Sequence, residues 1–474
     1  MNDRTTPNAS SPSIDPGMGP DLLRRMDTPG PRYTSYPTAD RFRAGFAAST
    51  WQQALAARLG STQPLSLYLH LPFCASVCYY CACNKVVTKH HSRARPYLAA
   101  LHREIDLVCA AMGTRQRVEQ LHLGGGTPTF LSDEELAELM QRLEQAFDFE
   151  PDAERAIEID PRTVDMPRLA RLRAIGFNRI SLGVQDVDTQ VQQAVHRVQP
   201  LEQVAALLEG ARSLGFESTN VDLIYGLPRQ TPRSVAQTVA QIAALAPDRV
   251  ALYGYAHLPE RFAPQRRIDT TTLPSAGERL AMLHNALKGF GDAGYVHIGM
   301  DHFARPQDAL AKAKRAGTLK RNFQGYSVHS GGDVLALGVS AISHVAGHYA
   351  QNGKQIEAYE ASLAAGELPV TRGWVMSAED VLRRELIMGL MCQGRIDVPA
   401  LEARHGICFA LHFAPQTVAL QRFVRDGMLR EHAQGYSLTA LGWYFVRAVA
   451  MLFDEHLSAP VSAGQDGARF SRVV

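Results

Sequence analysis

Cys74, Cys78, Cys81 and Cys83 fall within ten residues, directly after the alternating apolar run 65–71, which reads as a β-strand. This crowding constrains the fold more than any other feature, because a metal centre has to be presented where that strand ends. Three thiolates spaced C-x3-C-x2-C on one tight loop hold three irons of a cubane cluster and leave the fourth iron without a protein ligand. If all four thiolates bound one cluster, no iron would stay open. Cys74, Cys78 and Cys81 are therefore the expected ligands, and Cys83 is either a free thiol acting near a substrate or a loop cysteine without a role. A closed zinc shell is the alternative for four cysteines, although such shells usually draw two ligand pairs from separated segments.

The chain has 474 residues, more than one hydrophobic core usually supports, which predicts a large catalytic domain with a smaller companion. With 49 basic against 47 acidic residues the formal net charge is only +2, which disfavours nucleic acid or an anionic membrane as the main partner. Seven cysteines are an odd count, against a disulfide framework and for a reducing compartment, which an iron–sulfur cluster also needs. The first twenty residues are rich in Asn, Ser, Pro and Gly, as in a disordered tail and unlike a signal peptide. No apolar run reaches the roughly 18 residues of a membrane span, and a soluble, cytoplasmic protein is expected.

From residue 65 onward, short apolar runs alternate with longer amphipathic ones, the pattern of repeated strand–helix units around a parallel sheet. Strands are predicted at 65–71, 120–123, 156–159, 179–184, 220–224 and 249–253, each apolar enough to be covered on both faces. Helices are predicted at 95–111, 133–147, 166–174, 201–214 and 231–245, with stop signals such as Gly176 and Gly215. Six βα units make a partial (βα)6 barrel of the α/β class, whose chemistry gathers at the carboxyl ends of the strands. Residues 376 to 457 carry helices and a short β-ribbon in a winged-helix-like order. There Val418, Leu420, Phe423 and Val424 read as a helix face packed on the body and not as a DNA-reading one. The expected division is a tail over 1–28, a substrate arm over 29–64, a catalytic domain over 65–375 and a mostly helical C-terminal domain over 376–474.

Motif residues crowd the predicted strand ends. Gly124-Gly125-Gly126-Thr127 follows the second strand; an ordinary turn is one reading, but bare glycines also let backbone groups meet the carboxylate and amino group of a methionine moiety. Glu158, Gln185 and Asp222 on neighbouring strand ends offer acceptors for ribose hydroxyls, against the plainer reading of solvated loop groups. Arg197 suits an anionic group, where a helix-surface arginine is the plainer reading. Ahead of the barrel, Pro31-Arg32-Tyr33-Thr34-Ser35-Tyr36-Pro37 is too polar and proline-rich for a core element. It reads as an ordered arm whose arginine and tyrosines suit a flat ring bearing carboxylates. A second polar and aromatic block runs over 298–306 and 321–326, and a histidine such as His302 is by itself more often structural than catalytic.

An open iron beside an aromatic residue, here Tyr80, resembles the radical S-adenosylmethionine (SAM) enzymes. The arm motif 33–37, the cysteine loop with Asn84-Lys85, and the segments 124–129, 183–186, 222–228, 255–257 and 299–306 together resemble the oxygen-independent coproporphyrinogen III oxidase family. The likeness runs from about Pro29 to Phe470-Ser471-Arg472. It implies a radical SAM partial barrel with an N-terminal substrate arm and a C-terminal helical domain. A [4Fe–4S] cluster on Cys74, Cys78 and Cys81 and two SAM molecules are implied with it. The first SAM is placed near Tyr68, Gly125, Glu158, Ala256 and Ile342, the second near Tyr80, Gly126, Thr127, Gln185, Arg197 and Asp222, with Cys83 and Tyr33 as catalytic residues. The implied reaction is oxidative decarboxylation of two propionates of coproporphyrinogen III to vinyl groups by way of a 5′-deoxyadenosyl radical, giving protoporphyrinogen IX. Its electrons would come from a donor such as flavodoxin or ferredoxin, and the enzyme would be a monomer. Tyr80 and Ala82 depart from the phenylalanine and glycine of the family, which touches fine positioning alone. Haem chaperones of the same superfamily share the cluster loop but typically lack the arm and the fourth cysteine. Anaerobic haem-degrading radical SAM methyltransferases are the other relatives to separate.

Overall fold

The computed structural model describes residues 22, 25–329, 332–457, 470 and 472, so most of the expected tail over 1–28 lies outside the described residues. Six strands, β1 (Leu65–Leu71), β2 (Arg117–Gly125), β3 (Asp148–Ile159), β4 (Arg179–Gln185), β5 (Ser218–Tyr225) and β6 (Arg249–Gly254), lie in chain order in one sheet, with every neighbouring pair parallel. Helices α1 (Ala94–Met112), α2 (Asp133–Ala146), α3 (Met166–Ile175), α4 (Leu201–Ser213) and α5 (Pro232–Leu245) return the chain to the amino ends of successive strands. Their ends follow the sequence signals. Ser132 and Thr231 open α2 and α5 as capping boxes, and the expected stops Gly176 and Gly215 take left-handed φ of 113° and 75°. Beside β6 the sheet continues with the antiparallel hairpin Val296–Gly299 and His302–Ala304, while β7 (Val334–Leu337) runs parallel to β1 on the other flank. The sheet stays open along its whole strand order, so it is an α/β fold with an unclosed side.

Side chains alternate across a strand, and here the alternation separates two chemistries. Leu67, Leu69, Leu121, Leu123, Ile157, Ile180, Leu182, Val221, Leu223, Val250 and Leu252 join one apolar cluster with helix residues such as Leu101, Leu139, Leu172, Leu208 and Val239. The intervening residues are Ser66, Tyr68 and His70, then Gln120 and His122, Glu154 and Glu158, Arg179 and Ser181, Asn220 and Asp222, and Arg249 and Tyr253. This corrects the expectation of strands apolar on both faces. One face is packed under helices, and the other is a polar lining that must satisfy itself or a ligand. At the amino ends of the strands it satisfies itself: Glu154 accepts from Gln120 at 2.9 Å, Arg179 at 2.8 Å and Arg249 at 3.4 Å, and Arg249 also pairs with Asp308 at 2.8 Å. Burial works to raise the Glu154 carboxyl, but the two arginines hold it well below the usual carboxylate range.

The C-terminal region carries helices Ala378–Gln393, Val398–His405 and Ala414–Arg425, and a three-stranded sheet of Arg395–Asp397, Leu429–His432 and Gly435–Leu438. The region closes with two short helices, Ala440–Tyr444 and Val446–Met451. Leu420 and Phe423 are buried and Val424 packs beside them, but Val418 is 75% exposed. Two residues from Leu420, at about 100° per residue, it falls on the opposite face of its helix.

The arm departs from its expectation most. Tyr33 and Tyr36 are 1% and 0% exposed and belong to one apolar cluster with Leu386, Leu390, Phe445 and Phe453 of the C-terminal region. Their polar tips are met there: Tyr33 Oη donates to Asp454 at 3.0 Å, and the Glu455 N–H donates to Tyr36 Oη at 3.3 Å. Arg447 donates to the carbonyls of Pro31 and Gly30. A tyrosine with its hydroxyl satisfied is a core residue, whatever its polar neighbours in sequence. The ring and hydroxyl of Tyr33 are thus committed within the protein, which corrects its reading as a group facing substrate. Tyr36→Ala is expected to lower the unfolding free energy of this region by about 3–5 kcal/mol through the cavity it leaves, and Tyr33→Phe by about 1–2 kcal/mol. Urea unfolding followed on the C-terminal transition checks both, and a Tyr36→Ala protein unfolding with the wild type would remove the arm from the core.

Candidate active site

The cysteine loop leaves β1 through Pro72 and is tied down on two sides. On the β1 side, His70 Nε2 donates to the Asn84 carbonyl at 2.8 Å and so accepts the Tyr68 hydroxyl on Nδ1 at 3.2 Å, while Val86 N–H donates to Pro72 O at 2.8 Å. On the far side, the Gln265 amide, 1% exposed, donates to Tyr80 O at 3.0 Å and Ala256 O at 3.1 Å. One side chain therefore joins the cluster loop to the segment beyond β6. Gln265 carries no signal in the sequence, since nothing marks a loop glutamine as buried.

The four thiols have different surroundings. Cys74 Sγ accepts from Thr127 Oγ1 at 3.5 Å, and burial pushes this thiol up to about 11. Cys78 Sγ faces Arg197 at 3.4 Å and Arg162 at 3.8 Å. Cys81 is pushed down to about 5, chiefly by the hydrogen bond from the Cys83 thiol, with Lys85 adding its charge. The same bond pushes Cys83 well up. Among the described residues no three thiols lie within 4.8 Å of one another.

The glycine run lies against the same loop. Gly126 N–H donates to Leu71 O at 2.8 Å, and a Cβ there would stand 2.7 Å from the Pro72 and Phe73 carbonyls, so only glycine fits. Gly125, at φ 111°, donates its N–H to Glu158 Oε2 at 3.3 Å, and His122 Nε2 donates to Glu158 Oε1 at 3.1 Å. Tyr68, Glu158 and Ile342 line one cavity of about 310 Å3 with His70, His122, Tyr253 and Gln324. The structure therefore brings three of the first-SAM residues together, with Gly125 beside them and Ala256 across the loop. His70 and His122 were legible as the polar positions of alternating strands, a signal that points to the inner face without naming a role.

The second group is less open. Arg197 is no surface arginine: it is buried, donates to Gly183 O at 2.6 Å and pairs with Asp160 at 3.3 Å, which also holds Arg162 at 2.7 Å. Gln185 takes a left-handed φ of 71°, where the pairing of β4 with β5 slips. Tyr80 packs on an apolar patch with Val191, Val195, Leu227, Tyr255 and Ile268. Asp222 accepts from Asn220 at 2.8 Å and Ser181 at 3.0 Å, and burial, with the nearby Glu158 charge, pushes its carboxyl up to about 6. Asp222 and Glu158 share the wall of a small cavity of about 60 Å3.

Among the described residues, no helix is long and apolar enough to cross a membrane. Residues 68–242 match the model of the radical SAM superfamily, and residues 376–445 match the HemN C-terminal domain. The chain is 48% identical to the oxygen-independent coproporphyrinogen III oxidase of Pseudomonas aeruginosa over 96% of its own length and 98% of that protein. It is 44% identical to the enzyme of the same name from Escherichia coli over 96% and 98% of the two chains. A solved coproporphyrinogen III oxidase from Escherichia coli, described as a radical SAM enzyme, superposes with a TM-score of 0.86 at 44% identity, over 90% of this chain and 98% of that one. Identity of that degree along nearly the whole length, cysteine loop and C-terminal region included, shows that the chain belongs to the oxygen-independent coproporphyrinogen III oxidase family of radical SAM enzymes.

Proposed function

We propose that the chain converts two propionate side chains of coproporphyrinogen III to vinyl groups, giving protoporphyrinogen IX in anaerobic haem biosynthesis. The observation that carries this is the position of the Cys74, Cys78 and Cys81 loop, tied through His70 to the strand that lines the Tyr68, Glu158 and Ile342 cavity. The donor set fits a [4Fe–4S] cluster on those three cysteines, since each thiol has a hydrogen-bond donor. When bound, a reduced cluster and SAM supply a primary carbon radical able to take a hydrogen atom from an unactivated C–H bond. Each round removes two hydrogens and one carbon dioxide from a propionate, so an electron acceptor is also required.

The chain's own residues bind and position. Glu158 and Asp222 offer carboxylate oxygens to ribose hydroxyls, and the polar lining, with apolar Ile342 beside it, holds the cofactor. A second SAM is proposed on the other side of the glycine run, near Tyr80, Gly126, Thr127, Gln185, Arg197 and Asp222. A low-potential carrier of the flavodoxin or ferredoxin kind is the proposed electron source, and all seven cysteines being free suits a reducing, cytoplasmic setting. The proposed division into arm, catalytic and C-terminal domains follows the sequence boundaries, with the arm serving the C-terminal core as well as the site. The chaperone and methyltransferase readings are not favoured, because the relatives matched along the chain bear the oxidase name.

Incubation of the anaerobically reconstituted protein with coproporphyrinogen III, SAM, a low-potential reductant and an electron acceptor is expected to yield a product lighter by two carbon dioxides and four hydrogens. Glu158→Ala should keep the visible absorbance of the cluster and lose 5′-deoxyadenosine release; unchanged release would remove Glu158 from SAM binding. Serine at Cys74, Cys78 or Cys81 should abolish iron binding, whereas Cys83→Ser should retain it, and stoichiometric zinc in the purified protein would overturn the ligand assignment. Asp222 carries a stability signature of its own. Its folded value of about 6 lies above the ordinary 3.8, so the protonated form is favoured in the folded state and the carboxylate costs stability once pH rises through 6. Asp222→Asn should therefore stabilise the ligand-free protein above pH 6, on the order of 2–3 kcal/mol, with the gain fading toward pH 4. Melting curves across that range check the sign, and SAM affinity should fall in the same variant.

A further inference from the structure

Gln324, in the polar and aromatic block over 321–326, lines the cavity with Tyr68 and Glu158, but Arg321 of the same block has no part in the site described above. The block forms a hairpin of Lys320–Asn322 and Gly325–Ser327 that lies against the C-terminal helix Ala378–Gln393, where Tyr326 Oη donates to Met391 O at 2.8 Å. Arg321, in its first strand, is 6% exposed. Its Nε and Nη1 have no hydrogen-bond partner among the described residues. Nη2 reaches the Arg32 carbonyl at 3.5 Å, and the guanidinium lies over the Tyr326 ring at 4.6 Å. The nearby carboxylate, Asp301, is held by His302 at 2.9 Å and by Arg32 at 3.4 Å. Burial has cost this guanidinium its hydration, and although the Asp301 charge lies within its reach, Nε and Nη1 have no hydrogen-bond acceptor in exchange.

Arg321 lines a cavity of about 440 Å3 between the hairpin and that helix. Lys320, Arg384 and Arg395 share the lining, against two acids, and both acids are engaged: Glu385 by Arg404 and His405, Asp397 by the Ala400 N–H. The charge left open in the cavity is positive. Val334 lines both this cavity and the one containing Tyr68 and Glu158.

We propose that Arg321 binds a carboxylate arm of the tetrapyrrole substrate in this cavity, as an anchor beside the reacting centre and not at it. The inference rests on the function proposed above. The substrate carries four propionates of which two are converted, so two carboxylates persist through both rounds and can be held at a fixed point while others react. An arginine with unpaired N–H groups meets a carboxylate with directed, charge-assisted bonds, which a lysine does not reproduce.

The test compares wild type with Arg321→Gln and Arg321→Lys. Turnover of coproporphyrinogen III under anaerobic conditions should show KM raised about tenfold or more in Arg321→Gln, with kcat within a few-fold, and a smaller KM rise in Arg321→Lys. A second measurement needs no turnover: binding of oxidised coproporphyrin III against its tetramethyl ester. Wild type should prefer the acid, and Arg321→Gln should lose most of that preference while iron content and SAM binding stay unchanged. Wild-type KM and an undiminished acid preference in Arg321→Gln would overturn the proposal. If Arg321→Gln fails to fold, the same result in Arg321→Lys does so. Absence of vinyl product from the wild type would sink the oxidase reading instead, and the acid and ester comparison would still report on Arg321.

Discussion

The architecture depends on a parallel sheet whose inner face is polar. Helices can cover an apolar face, but a face of Tyr, His, Glu, Arg, Ser, Asn and Asp has to find hydrogen bonds and counter-charges of its own. The chain solves this differently at the two ends of the strands. At the amino ends, Glu154, Arg179, Arg249, Asp308 and Gln120 pair with one another, closing the lining with a buried ionic network. Such a network adds little net stability against an apolar packing of the same volume, but removing one member would leave its partners charged and buried. At the carboxyl ends Glu158, His122, Tyr68 and Tyr253 surround empty volume, and Asp222 is held with its carboxyl raised toward neutrality. The polarity that is internally consumed at one end is left available at the other.

The cluster loop inherits its position from that lining. His70 belongs to the inner face of β1 and fixes the Asn84 carbonyl, so the loop is registered to the strand that precedes it. Gly126 lets β2 approach the Pro72 and Phe73 backbone, and Gln265 reaches across from beyond β6. The loop is thus suspended between the first and last strands of the parallel set. The hydrogen bonds on the sulfurs differ accordingly: Thr127 serves Cys74, two arginines organised by Asp160 serve Cys78, and Cys83 with Lys85 serves Cys81. Donors of this kind stabilise thiolate charge and set the electronic character of a bound cluster. In this arrangement Cys83 is a hydrogen-bond donor to Cys81.

The open side of the sheet explains why arm and C-terminal region are one unit. An unclosed sheet leaves an edge and a flank to be covered. The hairpin 320–327, the helix Ala378–Gln393 and the arm share that task, tied together by Tyr326, Tyr33, Tyr36 and Arg447. Residues more than four hundred apart in sequence, such as Tyr33 and Asp454, are bonded as a result. Covering the flank also creates the basic cleft around Arg321, at the boundary of the two regions.

By itself the sequence determined what is local or periodic. The strands and helices, the glycine stops, the cysteine spacing and the crowding of motif residues at strand ends all follow from two-residue and 3.6-residue alternation and from short-range ligand geometry. Even the polar inner face was present as Ser66-Tyr68-His70 between leucines. What only the tertiary structure decided are the partnerships across the fold. It turned Tyr33 and Tyr36 from presumed substrate contacts into core, gave Arg197 to Asp160 and Cys78, buried Gln265 under the loop and left Nε and Nη1 of Arg321 without an acceptor. The physical reason is that a side chain's burial and charge state depend on which distant groups surround it, and no spacing along the chain encodes which of them will arrive.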